Sequence, residues 1–333
     1  MIKKDIIMKI HEGVIIMFKM YNTNLASNIT EETSEFKKGN WINMVDPTEA
    51  EIKEVCEKLN IQEDFIRYSL DYEEKARIDQ EDDDGTILFI IDVPIIDKEN
   101  NENIHSTMPL GLIIVRDDYF ITVSLKPTQI ISELEKTKLK NNVITYKKSR
   151  MILQIFYKNA QMYLTELRQI DKEKEKTEIE LNYSMKNKEL LKMMNLEKSL
   201  VYITTSLKSN EVVMEKTLRG KIIKLYEEDE EILEDAIVEN KQAIEMAKIY
   251  SDILSGTMDA YASIISNNLN IVMKVLTTIT IILSIPTIIG GYWGMNVNVP
   301  LSNNPFGFYI IVIISLLVTL LFYLLFKKRN MLN

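Results

Sequence analysis

The sequence predicts an α/β domain followed by long helices, the last of which runs into a two-helix membrane region. Three observations predict it. Charge fills the chain up to Lys274 and then vanishes: no Asp, Glu, Lys, Arg or His occurs from Val275 through Phe326. From Thr128 to Ile285 there is no proline, and glycine occurs only at Gly220 and Gly256, so few helix breakers interrupt that stretch. The first third instead carries β-branched runs divided by turn residues.

The N-terminal "MIKKDIIMKIHEGVIIMF" is interrupted by Asp5, His11 and Glu12, so it reads as a strand pair rather than a signal peptide. "DPTEAEIKEVCEKLN" reads as a helix with Asp46 as N-cap, Pro47 in the first turn and acids following. "TILFIIDVPII" (Thr86 to Ile96) and "LGLIIVRDDYFITVSL" (Leu110 to Leu125) read as strands, the second turning at Asp117-Asp118. Helical spacing then recurs at Ile152, Phe156, Tyr163, Leu167 and Ile170, and at Leu196, Leu200, Ile203 and Leu207. A third run (Leu233, Ile237, Ile244, Ala247, Leu254, Met258, Tyr261, Ile265) continues into the first apolar span. A helix from Glu227 to Ile289 would be roughly 95 Å long, the length of a bundled stalk. The alternative is two helices with a kink near Gly256.

Two segments reach the length and apolarity of a membrane span, Val275 to Trp293 and Gly307 to Phe326. Lys274 precedes the first, Lys327, Lys328 and Arg329 follow the second, and the connecting loop has no Lys or Arg. Basic residues stay on the cytoplasmic side, so both termini are expected in the cytoplasm and the loop outside. Cys56 is the one cysteine among 333 residues, which excludes an intrachain disulfide framework and fits a reducing cytosol. His11 and His105, the only histidines, offer no imidazole cluster and read as ordinary strand or loop residues. No nucleophile–base pair, Gly-rich cofactor motif, Walker-type P-loop or Cys/His metal set occurs, so an enzyme is not expected. With net charge −9, no nucleic-acid partner is expected either.

The second span is apolar nearly all round. The first is not: Asn270, Met273, Thr277, Thr280, Ser284, Thr287 and Gly291 recur three and four apart and share one face. Such a stripe serves either close helix packing, with hydroxyls bonded to the preceding turn, or the lining of a pore. Met273 and Leu276, at its cytoplasmic end, are large and apolar, and rings of such side chains block ions by dewetting. Two spans cannot enclose a water-filled path, so a pore needs several copies around an axis, and closed cyclic symmetry is the usual solution.

Between the spans lies "GGYWGMNVNVP", Gly290 to Pro300, polar, uncharged and turn-forming. Gly294-Met295-Asn296 at the end of the first of two C-terminal spans resembles the signature of the CorA family of divalent-cation channels. "NIVMKVLTTIT" (Asn270 to Thr280) is similar to the family's pore helix, "WINMVDPTEAEI" (from Trp41) to its opening strand and helix, and "DYFITV" to a later strand. The resemblance implies a homopentameric funnel in the lipid bilayer of the cell membrane, carrying Mg²⁺ inward and regulated by Mg²⁺, with no organic cofactor. It also implies a ring of Asn296 amides at the outer mouth, with Gly294 supplying backbone freedom for a tight turn. Carboxylates at a subunit boundary would bind regulatory Mg²⁺. Asp235 in "EEDEEILED" falls at the family's stalk acid, with Asp82, Asp83 and Asp84 in "DQEDDDG" as candidate partners. Those acidic runs equally suit a solvated face.

The implied division is an α/β cytoplasmic domain over 1–145, a cytoplasmic helical hairpin over 146–226 and the stalk and pore helix over 227–293. An external loop over 294–306 and the second span with its basic tail over 307–333 complete it. Trp293 stands where typical members have Tyr, and the loop lacks the acidic residues that many members carry after the signature. Ser284 replaces an apolar residue, and Pro286 is shifted by one position. Ion preference therefore stays open between Mg²⁺ and the Zn²⁺, Co²⁺ or Ni²⁺ of relatives such as ZntB. A non-conducting membrane-anchored coiled-coil scaffold is the reading from a different class.

Overall fold

In this computed structural model the described residues are 10–11, 14–15, 18–81, 85–99, 102–137, 143–184, 187–220, 222–301, 304–329 and 331. They form two compact units, Met1–Ser255 and Gly256–Asn333.

The first unit is built on a seven-stranded sheet. The expected N-terminal strand pair is a separate two-stranded ladder of β1 (Ile10–His11) and β2 (Val14–Ile15). The sheet itself contains β3 (Lys19–Thr23), β4 (Thr30–Thr33), β5 (Trp41–Val45), β6 (Arg77–Gln80), β7 (Ile87–Glu99), β8 (Glu102–Val115) and β9 (Tyr119–Ser124). Their spatial order is β4-β3-β5-β9-β8-β7-β6, antiparallel except where β5 and β9 run parallel with Trp41 opposite Phe120. Both faces are covered, which explains why β7 reads as an unbroken apolar run rather than an alternation. Leu88 and Ile90 point into a cluster with Ile52, Val55, Leu59 and Ile66 of the first helices. Phe89 and Ile91 point the other way, against Ile152, Phe156, Met214 and Leu233 of the long helices.

The helix after β5, α1 (Glu49–Leu59), is capped by Thr48 and not by Asp46. Thr48 and Glu51 form a capping box: the Thr48 N–H donates to Glu51 Oε2 at 2.7 Å, and the Glu51 N–H donates to Thr48 Oγ1. Asp46 instead takes a left-handed φ of 49° and donates its N–H to the Ser124 carbonyl, continuing the β5–β9 ladder. Asn60, left-handed at φ 48°, ends the helix. Cys56 is buried on α1, and burial pushes its thiol up to about 11. After α2 (Asp64–Arg67) and a 3-10 turn (Tyr68–Leu70) the chain enters β6.

The breaker-poor region is helical, as its composition predicts: α3 (Gln129–Thr137), α4 (Lys148–Ser184), α5 (Asn187–Gly220) and α6 (Glu227–Trp293). The spaced apolar residues of α4, from Ile152 to Ile170, are all buried, as are Leu196, Leu200, Ile203 and Leu207 of α5. On α6 the buried face runs from Leu233 through Tyr261, and Ile265 is exposed. α6 is helical throughout its 67 residues, Gly256 and Pro286 included. α7 (Gly307–Lys328) completes the chain, and both α6 and α7 are long and apolar enough to cross a membrane.

One close approach inside the sheet depends on a missing side chain. A Cβ at Gly111 of β8 would lie 1.9 Å from Ser69 Oγ and 2.6 Å from Ser69 Cβ, and Ser69 is fully buried on the 3-10 turn. Gly111→Ala is expected to destabilise the first unit by about 1–3 kcal/mol through overpacking. Adding Ser69→Gly should restore part of that loss. Chemical denaturation of the single and double variants measures both effects.

Candidate ion pathway and sensor residues

The second unit contains only the C-terminal half of α6, the loop after it, and α7 with the residues that follow it. From Val275 to Trp293 the covered residues of α6 are Val275, Thr278, Ile282, Ile285, Pro286, Ile289 and Trp293, with Ser284 half-buried apart from them. On α7 the covered residues include Gly307, Ile311, Ser315 and Val318, two of them small, which lets membrane helices approach closely. Thr278 is fully buried and donates to the Lys274 carbonyl, with the Met331 carbonyl 3.3 Å away.

The polar stripe lies on the other side. At 3.6 residues per turn, Asn270, Met273, Thr277, Thr280, Ser284, Thr287 and Gly291 project roughly opposite the covered face. All are exposed except half-buried Ser284, and Leu276 beside them is exposed too. Packing against α7 therefore does not use this stripe. Three of its hydroxyls are bonded along their own helix: Thr280 donates to the Leu276 carbonyl at 2.8 Å, Ser284 to Ile281 at 2.8 Å and Thr287 to Leu283 at 3.4 Å. Each oxygen spends its proton on the backbone and keeps lone pairs directed outward.

At the end of α6 the Gly294 N–H still donates to the Gly290 carbonyl at 2.9 Å. Gly294 takes no left-handed φ, so the expected need for backbone freedom is not why glycine stands there. A Cβ would lie 3.2 Å from the Gly290 carbonyl, a modest crowding. The strained positions come later. Leu301 has φ 71°, and a Cβ at Gly307 would stand 2.4 Å from the Leu301 carbonyl oxygen and 3.4 Å from Trp293 Cζ2. Trp293 also donates its indole N–H to the Pro300 carbonyl at 3.2 Å. Asn304 closes the turn, accepting from the N–H of Phe306 on its side chain and of Gly307 on its carbonyl. These bonds clip the returning chain to the end of α6, and between the clips Gly294, Met295 and Asn296 are exposed. Gly307 was not singled out in the sequence, although a glycine opening an apolar helix directly after Pro-Phe is the signal for it.

The two acidic runs have divided roles. Asp79 is paired with Arg77 at 2.7 Å and Glu81 accepts from Gln62 at 2.6 Å; Asp82, Asp83 and Asp84 lie outside the described residues. In the second run Arg150 of α4 donates to Asp229 at 2.9 Å and Glu228 at 2.6 Å, and these two bonds hold its guanidinium pKa above the usual value. Asp229 is buried and also accepts from the Tyr226 N–H, capping α6. Asp235 is exposed two turns further on. Among the described residues no three His, Cys, Asp or Glu side chains converge to hold a metal, at Asp235 or elsewhere.

Three comparisons bear on this arrangement. Residues 36–328 match the family described as CorA-like Mg²⁺ transporter protein. The cobalt/magnesium transport protein CorA of Methanocaldococcus jannaschii is 27% identical over 300 residues, which is 87% of this chain and 90% of that protein. The complete structure of the CorA magnesium transporter from the same organism superposes with a TM-score of 0.80 at 26% identity, over 95% of this chain and 98% of the other. The cytoplasmic domain of ZntB from Vibrio parahaemolyticus, at 11% identity and a TM-score of 0.57, shares the fold over 76% of this chain and 97% of its own. With two C-terminal apolar helices, a polar stripe facing away from their contact and a family match over most of its length, the chain belongs to the CorA-like Mg²⁺ transporter family, membrane transporters of divalent cations and not enzymes.

Proposed function

We propose that the chain is one subunit of a homopentameric channel that carries Mg²⁺ into the cytoplasm and is closed by cytoplasmic Mg²⁺. One observation carries this reading: the polar stripe of α6 faces away from α7 and leads to the exposed Gly294-Met295-Asn296 turn. A stripe not used by the chain's own second span is available to an axis shared by several copies. The proposed division places 1–145 and 146–226 in the cytoplasm, 227–293 as stalk and pore helix, 294–306 outside, and 307–333 as second span and cytoplasmic tail. Both termini are then cytoplasmic.

The chemistry suits a hydrated dication as cargo. Mg²⁺ gives up its waters reluctantly, so a ring of neutral Asn296 amides would hold it through its hydration shell. Neutral oxygens bind weakly enough to let it leave. Below the mouth, the outward lone pairs of Thr277, Thr280, Ser284 and Thr287 would continue that solvation. Inward movement releases about 4.6 kcal/mol per dication for each 100 mV, from about 2.3 kcal/mol per charge. No separate energy source is then needed. Met273 and Leu276 would form the apolar constriction. Asp235, exposed and without converging carboxylates among the described residues, would complete a regulatory Mg²⁺ site with carboxylates of a neighbouring subunit, Asp82, Asp83 and Asp84 being the candidates.

Zn²⁺, Co²⁺ or Ni²⁺ as cargo is the second reading, left open by a loop that lacks acidic residues. A non-conducting scaffold would give no uptake at all. Purified protein in liposomes, with Mg²⁺ and Zn²⁺ entry followed separately, decides among the three. In that assay Asn296→Ala is expected to reduce Mg²⁺ entry at least tenfold with the oligomer intact by size-exclusion chromatography. Normal entry would remove the selectivity role of the loop. Met273→Ser should raise the leak at high internal Mg²⁺, because a wetted ring no longer blocks ions. Asp235→Ala should conduct normally but lose inhibition by internal Mg²⁺, since an effector acts only through differential affinity for the two states. Inhibition that survives in this variant returns the acidic run to a solvated face.

A further inference from the structure

The β7–β8 hairpin is longer than the sheet that carries it. β6 pairs β7 only as far as Ile90, and β9 pairs β8 only from Leu110 onward. Beyond those points the two strands continue as a ribbon with no third strand among the described residues, Asp92 opposite Pro109 out to Glu99 opposite Glu102. A lone two-stranded ribbon is marginal in water. Pro94 and Pro109 lie within it and have no N–H to give a neighbouring strand. Something other than the sheet must hold it.

Side chains of α4 and α5 do. At the base, Asn210 accepts from the Asp92 N–H and donates to the Asp92 carbonyl, both at 2.8 Å, as a neighbouring strand would. Asn159 adds a second donor to that carbonyl at 2.8 Å. Midway, Thr107 and Ser206 share a hydrogen bond at 2.9 Å. Farthest out, His105 is 1% exposed, with Nδ1 2.5 Å from Glu166 Oε1 and Nε2 3.3 Å from Glu173 Oε2. Both carboxylates come from α4. The neighbouring strand carries Asp97, which is engaged by Lys126 and Tyr72. From α5 the polar group that meets the ribbon near this end is the Ser206 hydroxyl.

A neutral imidazole has one N–H, and an ionised carboxylate only accepts. Serving Glu166 and Glu173 at once requires the doubly protonated ring. The two nitrogens point to different carboxylates on opposite edges of the ring, an arrangement for an imidazolium and not for a chelated metal. We propose that His105, Glu166 and Glu173 form a proton-binding latch that docks the β7–β8 ribbon onto α4 and releases it when the proton leaves.

The titration supports this geometry. Burial alone would lower the His105 pKa, but the bonds to Glu166 and then Glu173 outweigh it and hold it above the ordinary value. The latch is therefore fully present below about pH 6.5, the ordinary histidine value, and is lost as pH rises through the higher docked value. At the base of the ribbon burial pushes Asp92 up to about 6, so its protonated form is likewise favoured in the docked state.

Hydrogen exchange of the full-length protein in lipid nanodiscs tests the latch. Peptides covering 94–107 are followed between pH 7 and pH 9, with rates corrected for intrinsic exchange, in a range where Asp92 is already ionised. Ribbon opening should rise by about tenfold per pH unit until the docked pKa is passed, as one linked proton requires. His105→Gln should remove that slope while peptides of β9 keep their protection. Glu173→Gln, a milder change at a half-exposed position, should move the rise to lower pH. A ribbon whose protection does not vary with pH, or an unchanged slope in His105→Gln, overturns the proposal. If His105→Gln does not fold, an unshifted rise in Glu173→Gln overturns it equally.

Discussion

Hydrocarbon offers no hydrogen-bond partner to a peptide group, and that constraint governs the two spans, Val275 to Trp293 and Gly307 to Phe326. The polar atoms this chain carries into its spans must be satisfied from within. Thr278, Thr280, Ser284 and Thr287 return their protons to carbonyls of the preceding turn. Between the spans, the described part of the loop is clipped by the Leu301 and Asn304 carbonyls, by the Asn304 side chain and by the Trp293 indole. A helix that must satisfy its own polar groups can place hydroxyls on one face and apolar side chains on the others. The face against α7 and the face bearing the stripe are therefore two consequences of one requirement.

Much of the fold was legible because its signals are local and repetitive. The charge-free stretch, the absence of helix breakers and the apolar spacing on α4 and α5 each survive any tertiary context. Signals that depend on a single residue were less secure. Asp46 carries the right chemistry for an N-cap, yet the capping box two residues on wins because Thr48 and Glu51 satisfy two backbone groups reciprocally. Gly294 looked like a turn glycine, but the left-handed residue is Leu301 and the crowded glycine is Gly307. Both depend on where the returning chain passes, which no local pattern encodes. The outer half of β8, "ENIHSTMP", escaped notice for a related reason. It is polar, holds a proline, and is ordered by side chains from helices more than fifty residues away.

Charge in the first unit is also divided more finely than its clustering suggests. Glu228 and Asp229 belong to the joint between α4 and α6, where Arg150 and the start of α6 both favour anions. Asp235 is left to solvent two turns away. A run of nine residues with seven carboxylates thus contains a structural clamp and a solvent-exposed group. Composition alone treats them as one patch.

The buried thiol of Cys56 has a practical consequence. It is the only sulfhydryl in the chain, it is shielded on α1, and its thiolate form is suppressed at neutral pH. Maleimides and methanethiosulfonates should leave the native protein unlabelled. A cysteine introduced at any exposed position would then be the sole reactive handle. Accessibility along α6 and the outer turn becomes mappable one residue at a time in the otherwise unaltered chain.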